Sequence, residues 1–434
     1  MRRGFETAGP AVVEWPITRF RHISMIAAHT PAFWRVTLAL SLGSVLTFTN
    51  LYTPQPLLPL FSQAWGVTPV HASLLVSLTT LTLSLSLLLY GPLSDAIGRR
   101  GIMLVTMGVT ALCSLAMAFA PDFPTLLALR AIQGLFIGGL LAVAMAYLGD
   151  ELERDSRFLA VGLYISGNAR GGRAGRGSSG TTASAWGWEA SFLVTGCLSL
   201  VILAVFAWML PPSRRFTPKP LHPAGLARDL GGHLRNPVIL LACLVGGLNF
   251  LVFINLYSYI TYLLSAPPYH LSSFWLGLLF LTYLSGTLTA GISGRLVRGR
   301  SQPLAMAAGL LILMTGTLLT LVPRLEAIIV GMIINAIGFF LTHSQAAGWV
   351  NRNARQARAS ATSLYLMSYY GGASIGSFYL GPFWGWAGWH GVVLGAILML
   401  GLALGVALRL RALERNEAEL GAGEAVAEPQ AGGC

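Results

Sequence analysis

Ionisable side chains set in apolar sequence are the residues of this chain that could do chemistry. Arg130 lies in LALRAIQGLFIGG (127–139), within a run otherwise uncharged until Asp150. His343 lies in GFFLTHSQAAGWV (338–350), and an imidazole with an ordinary pKa near ~6.5 suits proton exchange. Arg170, Arg173 and Arg176 recur at three-residue spacing in a glycine-rich stretch, and GPLSDAIGRR (91–100) closes another apolar run with an acid and two arginines. A guanidinium in such surroundings can hold an anion or a carbonyl oxygen, and an acid beside arginines can form an ion pair that makes and breaks. Covalent catalysis is not indicated. The chain shows no nucleophile–base pair, metal-ligand cluster or phosphate loop, and its glycine-rich stretch lacks a Walker lysine. The expectation is a protein that is not an enzyme, needs no metal or cofactor, and is not driven by ATP.

The elements that carry these residues follow from the medium. Of 434 residues, 54% are hydrophobic and only 10% charged, with mean hydropathy +0.66, whereas soluble domains carry about a quarter charged residues. Of the four cysteines, Cys113, Cys197 and Cys243 fall in apolar runs and read as reduced packing residues, with Cys434 at the end of the chain. Residues 1–34 contain no cleavable apolar core and are not read as a signal peptide. Twelve apolar runs follow, from 36–61 to 391–410, with 158–180 as the fifth. Each is near the roughly 20 residues a helix needs to cross a bilayer with its backbone paired internally.

Charge and repetition organise the twelve. Of 28 Lys and Arg, only Arg324 falls in an outer loop and four fall within spans (Arg130, Arg170, Arg173, Arg176); the remaining 23 are on the inner side if the N-terminus is inside. That bias is the positive-inside pattern. Because the formal +12 is spread over many short loops, nucleic acid is not an expected partner. FTNLY (48–52) returns as FINLY (253–257), and GPLSDAIGRR has a counterpart in GRLVRGRSQ (294–302). The predicted fold is an all-α polytopic membrane protein, with twelve transmembrane helices in two pseudo-symmetric six-helix bundles. Its expected divisions are a cytoplasmic segment 1–35, bundles 36–210 and 238–410, a cytoplasmic loop 211–237, and a disordered cytoplasmic tail 411–434. A duplicated polytopic protein of this kind points to a secondary transporter.

Gly91-Pro-Leu-Ser-Asp95-Ala-Ile-Gly98-Arg99-Arg100 resembles the loop signature G-x-L-x-D-x-x-G-R-R of the major facilitator superfamily, and LALRAIQGLFIGG resembles its helix-four pattern R-x-x-Q-G. More narrowly, NLYTPQPLLPLF, the stretch from Phe253 to Leu288, and SLYLMSYYGGASIGS resemble YnfM-type bacterial inner-membrane transport proteins of the efflux kind. The resemblance covers 38–410. It implies alternating access, a bacterial inner-membrane location and a latch at the Asp95 motif. On the physical reading, Asp95 faces the N-terminal end of helix eleven near 359–361, where a helix carries roughly half a positive charge. Gly91 lets the backbones approach, and Arg99 and Arg100 pair with GDELERD (149–155). Arg298 stands where the second copy should have the acid, so the latch is one-sided. Arg130, with Gln133, reads either as a clamp on helix one or, by resemblance, as a proton-coupling residue. His343 is the other coupling candidate, since no Asp or Glu lies mid-span.

The expected cavity lies at mid-depth between the halves. Its candidate lining is Asn50, Tyr52 and Gln55 from span one, Asn255, Tyr257 and Tyr259 from span seven, and Tyr365, Tyr369 and Tyr370 from span eleven. Such a lining suits a drug-like, aromatic or sugar-like solute; protons as the coupling ion are what the resemblance implies, and the carrier is expected to be monomeric. The cross-class alternative is a membrane sensor or scaffold without flux, or an inactive relic. Span five, FLAVGLYISGNARGGRAGRGSSGTTASAWGW (158–188), is the misfit. Arg176 is expected to snorkel outward, toward Glu189. Arg170 and Arg173 cannot, at about 2.5–3.5 kcal/mol each at mid-depth. Either they face a water-filled, anion-receptive cavity or the stretch is damaged sequence; damage is the preferred reading, because the usual Gly-Pro dipeptide is also missing.

Overall fold

A computed structural model describes residues 25–427 except 214, 215, 219, 221, 222 and 355. Residues 1–24, Cys434 and the end of the tail therefore lie outside the described residues. The first four spans are α1 (Pro31–Tyr52), α2 (Pro69–Ile97), α3 (Arg99–Met117) and α4 (Phe123–Glu151). The next helix, Arg154–Met209, is broken at Gly187 (φ 88°) into α5 (154–186) and α6 (188–209). Then come α7 (Pro237–Ser265), α8 (Ser273–Leu296), α9 (Gln302–Leu319) and α10 (Leu325–Asn353). The last helix, Arg358–Ala427, is broken at Ala387 and Gly388 into α11 (358–386) and α12 (389–427). Both breaks are reversals: the Ser191 hydroxyl donates to the Ser179 carbonyl at 2.9 Å, and the Tyr379 hydroxyl to that of Gly395 at 3.1 Å. Twelve membrane-length helices thus stand among the described residues.

Local sequence explains where several of them begin. Thr30, Thr68, Asn236 and Ser301 each accept a backbone N–H from the first turn, and a proline follows within two residues. The cap satisfies an orphan donor, and proline needs none there. Asp122 does the same for α4, and its bonds from Thr125 hold the carboxyl below the usual carboxylate range. Two segments expected to lack helices contain them. The loop 211–237 contains a helix, Pro223–Leu234, and α12 continues through 411–427 where a disordered tail was expected, because Ala, Glu, Leu and Arg there are good helix formers.

The duplication is visible in the packing. Gly98 and Gly299, equivalent in the two copies of the loop motif, both take positive φ (107° and 75°), a region open to glycine at little cost. In the first half α1 lies against α5. A methyl group added at Gly167, Gly171 or Gly175 would stand 2.5–2.7 Å from the carbonyl oxygens of Ser41, Val45 and Thr49. In the second half α7 lies against α11 in the same way, with Gly247 against Ser368 O and Gly376 against Leu251 O. The Ser41 hydroxyl donates to Leu163 O at 2.8 Å and that of Thr49 to Gly171 O at 3.1 Å. Close backbones held by small residues and hydroxyls are how helices associate where lipid removes the hydrophobic drive. The glycines of span five are its packing surface, so the reading of that stretch as damaged is corrected on this point.

The halves themselves meet unevenly. The face carrying Arg99, Arg154, Arg298 and Arg358 is here called the basic face. Described side-chain bonds between the halves lie from the opposite face to mid-depth. They include Tyr262 Oη to Leu58 O (3.1 Å), Ser62 with Tyr262 (3.0 Å), Gln55 Nε2 to Ile254 O (3.1 Å) and Ser258 Oγ (3.2 Å), Ser77 with Ser377 (2.5 Å) and Ser84 Oγ to Met367 O (3.1 Å). Nearer the basic face, Leu89, Ile165, Leu288 and Ile292 are exposed, and the space beside Gly91 and Gly294 is open.

Leucine at Gly171 should part α1 from α5, an overpacking cost of about 1–3 kcal/mol, whereas leucine at the neighbouring exposed Ala174 should be tolerated. Monodisperse yield and thermal midpoint in detergent check this: a loss confined to Gly171→Leu is expected, and equal behaviour of the two variants would contradict the seam.

Candidate functional site between the two bundles

Two arginines are fully buried within membrane-length helices, and their surroundings differ. Arg130 projects from α4, where α1, α2 and α4 meet. Its Nε donates to Leu75 O (2.9 Å), Nη1 to Asn50 O (2.9 Å) and to the Gln133 side-chain carbonyl, and Nη2 to Leu51 O (2.9 Å). Four acceptors from three helices hold this guanidinium as a clamp. Gln133 in turn donates to Thr110 O, Ser114 Oγ and Asn50 Oδ1.

Arg176 projects from α5 where the halves touch, and is 1% exposed. Its carbon Cζ sits 3.8 Å from the centre of the Tyr52 ring on α1, and 4.6 Å from those of Phe280 and Tyr283 on α8. Its Nε donates to Gln55 Oε1 at 2.8 Å and Nη1 to Gly172 O at 3.0 Å, while Nη2 has only the Tyr283 hydroxyl at 3.5 Å, beyond the usual range for such a bond. Among the described residues no carboxylate lies within ion-pair distance of it. Ring faces stabilise a desolvated cation without neutralising it. The expectation that Arg176 snorkels toward Glu189 is therefore corrected: the side chain turns inward, because Tyr52, Gln55, Phe280 and Tyr283 supply a closer polar and aromatic surface. Arg173 is half-buried and Arg170 exposed; neither has a described hydrogen-bond acceptor.

Aromatic rings continue from this cage through the second half. Tyr283 meets Phe253 (centroids 5.0 Å), which stacks on Phe339 (3.7 Å); Phe339 stacks on His343 (6.0 Å), and Tyr369 lies flat on Phe250 (3.9 Å). The His343 Nδ1 and the Tyr365 hydroxyl are 2.8 Å apart. Sequence reasoning passed over Phe250, Phe253, Phe280, Phe339 and Tyr283. Their signal was spacing: Phe250, Phe253 and Tyr257 recur at i, i+3 and i+7, one face of a helix.

Among the predicted lining residues, Tyr52 and Gln55 touch Arg176, and Tyr369 is partly exposed. The others close upon themselves. Asn50 donates to Leu46 O and Ser199 Oγ; Asn255, its counterpart in the repeat, donates to Leu251 O and Ala373 O and accepts from Ser377. Tyr257 bonds Thr282 Oγ1 (2.6 Å) and Met332 O (3.1 Å), and Tyr259 donates to Ser377 O (3.1 Å). Asn50, Asn255, Tyr257, Tyr259, Tyr365 and Tyr370 are buried. In this conformation they pack against neighbouring helices, and the polar atoms of Asn50, Asn255, Tyr257 and Tyr259 are bonded to backbone and side chains there.

At the basic face the motif residues form a cluster within one half. Asp95 accepts from Arg99 Nη2 at 3.0 Å, Arg99 Nε pairs with Asp150, and Arg99 Nη1 donates to Ser94 Oγ at 3.3 Å. Asp95 has no described bond to the start of α11. Arg100 does not pair with 149–155 either. It donates to Ala207 O (2.8 Å) and Leu210 O (2.9 Å), the orphan carbonyls at the end of α6, where a cation is also favoured by the helix dipole. Gly98 turns the chain between Asp95 and Arg99, and Gly91 lies beside open space.

Comparison with known proteins accords with this architecture. Residues 40–377 match the model of the Major Facilitator Superfamily. The chain is 39% identical over 382 residues to the MFS-type transporter YybF of Bacillus subtilis, covering 88% of this chain and 95% of the relative. It is also 39% identical over 383 residues to the inner membrane transport protein YnfM of Escherichia coli K12, covering 88% and 91%. The crystal structure of a peptide transporter, POT, in complex with sulfate superposes with TM-score 0.71 over 88% of this chain and 94% of that one at 16% identity, a likeness of fold alone. The chain is a multi-pass membrane protein that belongs to the major facilitator superfamily of transporters.

Proposed function

We propose that the protein exports a small organic solute from the bacterial cytoplasm across the inner membrane, by alternating access and in exchange for protons. The observation that carries this reading is the uneven meeting of the halves: bonded from the opposite face to mid-depth, with no described side-chain bond between them nearer the basic face. The arginine distribution makes the basic face, and with it both termini, cytoplasmic. The conformation is then open to the inside, with Tyr262, Gln55 and Ser77 holding the outer side shut. Rocking about mid-depth exchanges one closure for the other.

The Asp95 cluster supplies the second closure. In the inward-open state Asp95 rests on Arg99. When the inner ends meet, its carboxylate faces the N-terminal end of α11, and Arg99 keeps Asp150 in place. Arg130 fixes α1, α2 and α4 as one body, so that motion at the solute reaches the inner ends. A proton route needs a titratable group within the bundle, and we take His343, paired with Tyr365 and stacked on Phe339, as that group. The aromatic wall favours a planar or aromatic solute, and a carrier of this kind works as a monomer.

Flux in proteoliposomes driven by an imposed proton gradient tests the reading as a whole; ligand binding without gradient-driven movement would instead support a sensor. Asp95→Asn should shift the population toward the inward-open state several-fold, since a charge at a helix terminus is worth about 1 kcal/mol. Spin labels on the inner ends of α2 and α11 report it, and an unchanged distance distribution with intact flux would contradict the latch. Arg130→Lys should insert normally yet lose most flux, because lysine cannot span the acceptors that the planar fork holds together; wild-type flux would leave Arg130 only a diffuse role. In His343→Gln, flux should persist down a solute gradient but no longer respond to the proton gradient. A retained response would place coupling elsewhere.

A further inference from the structure

Resting on the transporter reading, the geometry points to an organic anion as the solute, with its anionic group held by Arg176. The two buried arginines make the comparison within one molecule. Arg130 shows what a purely structural guanidinium looks like here, with every nitrogen donating to a carbonyl oxygen at normal distance. Arg176 lacks that. Its Nη2 has only a hydroxyl at 3.5 Å, three aromatic rings surround it, and no described carboxylate balances its charge. A desolvated cation kept in this state has capacity left for an acceptor that carries negative charge.

Its position suits that role. Arg176 lies where α5 meets α8, in contact with residues of both halves, so an anion bound there would be felt by both. Tyr283 covers it on the side of the aromatic wall and is 9% exposed. Its hydroxyl makes the longest contact of the guanidinium, so a small turn of that ring would free Nη2 for a carboxylate oxygen. The body of the solute would then lie beside Tyr283, toward Phe340, whose ring stands edge-on to it at 6.1 Å, and Tyr369; these last two are part-exposed, and such rings take a planar molecule on face or edge. Carboxylate, sulfonate and phosphonate groups share the acceptor geometry, and a planar body joined to any of them fits. A neutral drug or sugar would leave the cation unbalanced.

The test uses the purified full-length protein in detergent and matched probes: benzoate, 4-hydroxybenzoate and phenylacetate, each against its carboxamide. Binding is read by thermal shift and by intrinsic tryptophan fluorescence. At least one carboxylate should bind while its amide does not, and Arg176→Gln should weaken that binding by about thirtyfold or more, as expected for loss of a charged hydrogen-bond partner. Arg176→Lys should retain part of it, and Arg170→Gln, the same charge change on the same helix, should stay within about twofold, since that side chain is exposed. Equal binding of acid and amide, or binding of none of the acids, would overturn the proposal without need of any variant. A carboxylate that binds Arg176→Gln as tightly as wild type would reduce Arg176 to a pin between the halves. Absence of flux with carboxylate binding intact would instead count against the transporter reading alone.

Discussion

A guanidinium taken out of water inside a bilayer must find acceptors or an opposite charge, and that constraint shapes both bundles. Arg130 meets it with carbonyl oxygens from α1, α2 and α4, which binds three helices at one point. The loss of hydrogen bonding to water is offset there within the protein, so the site is complete. Arg176 meets it only in part, with Gln55, its own helix and aromatic faces. The first arginine holds a half together; the second lies where the halves meet. Its partners come from both halves, so the rocking motion proposed above would part it from some of them.

The same logic extends to the seams. The α1–α5 and α7–α11 contacts put backbones against backbones through glycines, leaving each pair rigid and freeing other faces to move. At the basic face, ionic contacts described for Asp95, Arg99 and Asp150 stay within the first half. Arg100 caps α6 and is structural in this conformation. Strong local bonds within each half and few bonds between them are what a two-position device requires.

Much of the architecture was legible in the sequence because it rests on local signals. Capping residues followed by proline mark where spans start, the twelve apolar runs correspond to twelve helices, and the paired motifs FTNLY and FINLY place Asn50 and Asn255 in equivalent networks. The site was less legible. In lipid a helix has no polar stripe facing water, so spacing alone does not say which tyrosine packs and which lines. Tyr257 and Tyr259, expected to line the cavity, are in this conformation bonded to Thr282 and to the backbone of Met332 and Ser377. Arg176 was judged by depth alone, whereas its direction is set by Tyr52, Gln55, Phe280 and Tyr283, residues more than a hundred positions away in the chain. The glycines of α5 looked like a failing span because hydropathy measures affinity for lipid and ignores the close fit with α1. Arg170 has no structural explanation.

The most direct test of the account is to locate a bound anion. A structure of the full-length protein with 4-bromobenzoate, whose bromine marks the ligand, would show where the solute sits. The account predicts the carboxylate within hydrogen-bonding distance of the Arg176 guanidinium, the ring beside Tyr283 and toward Phe340, and the basic face open. Ligand bound away from the junction of α5 and α8, with Arg176 still enclosed by Tyr52, Gln55, Phe280 and Tyr283, would contradict it.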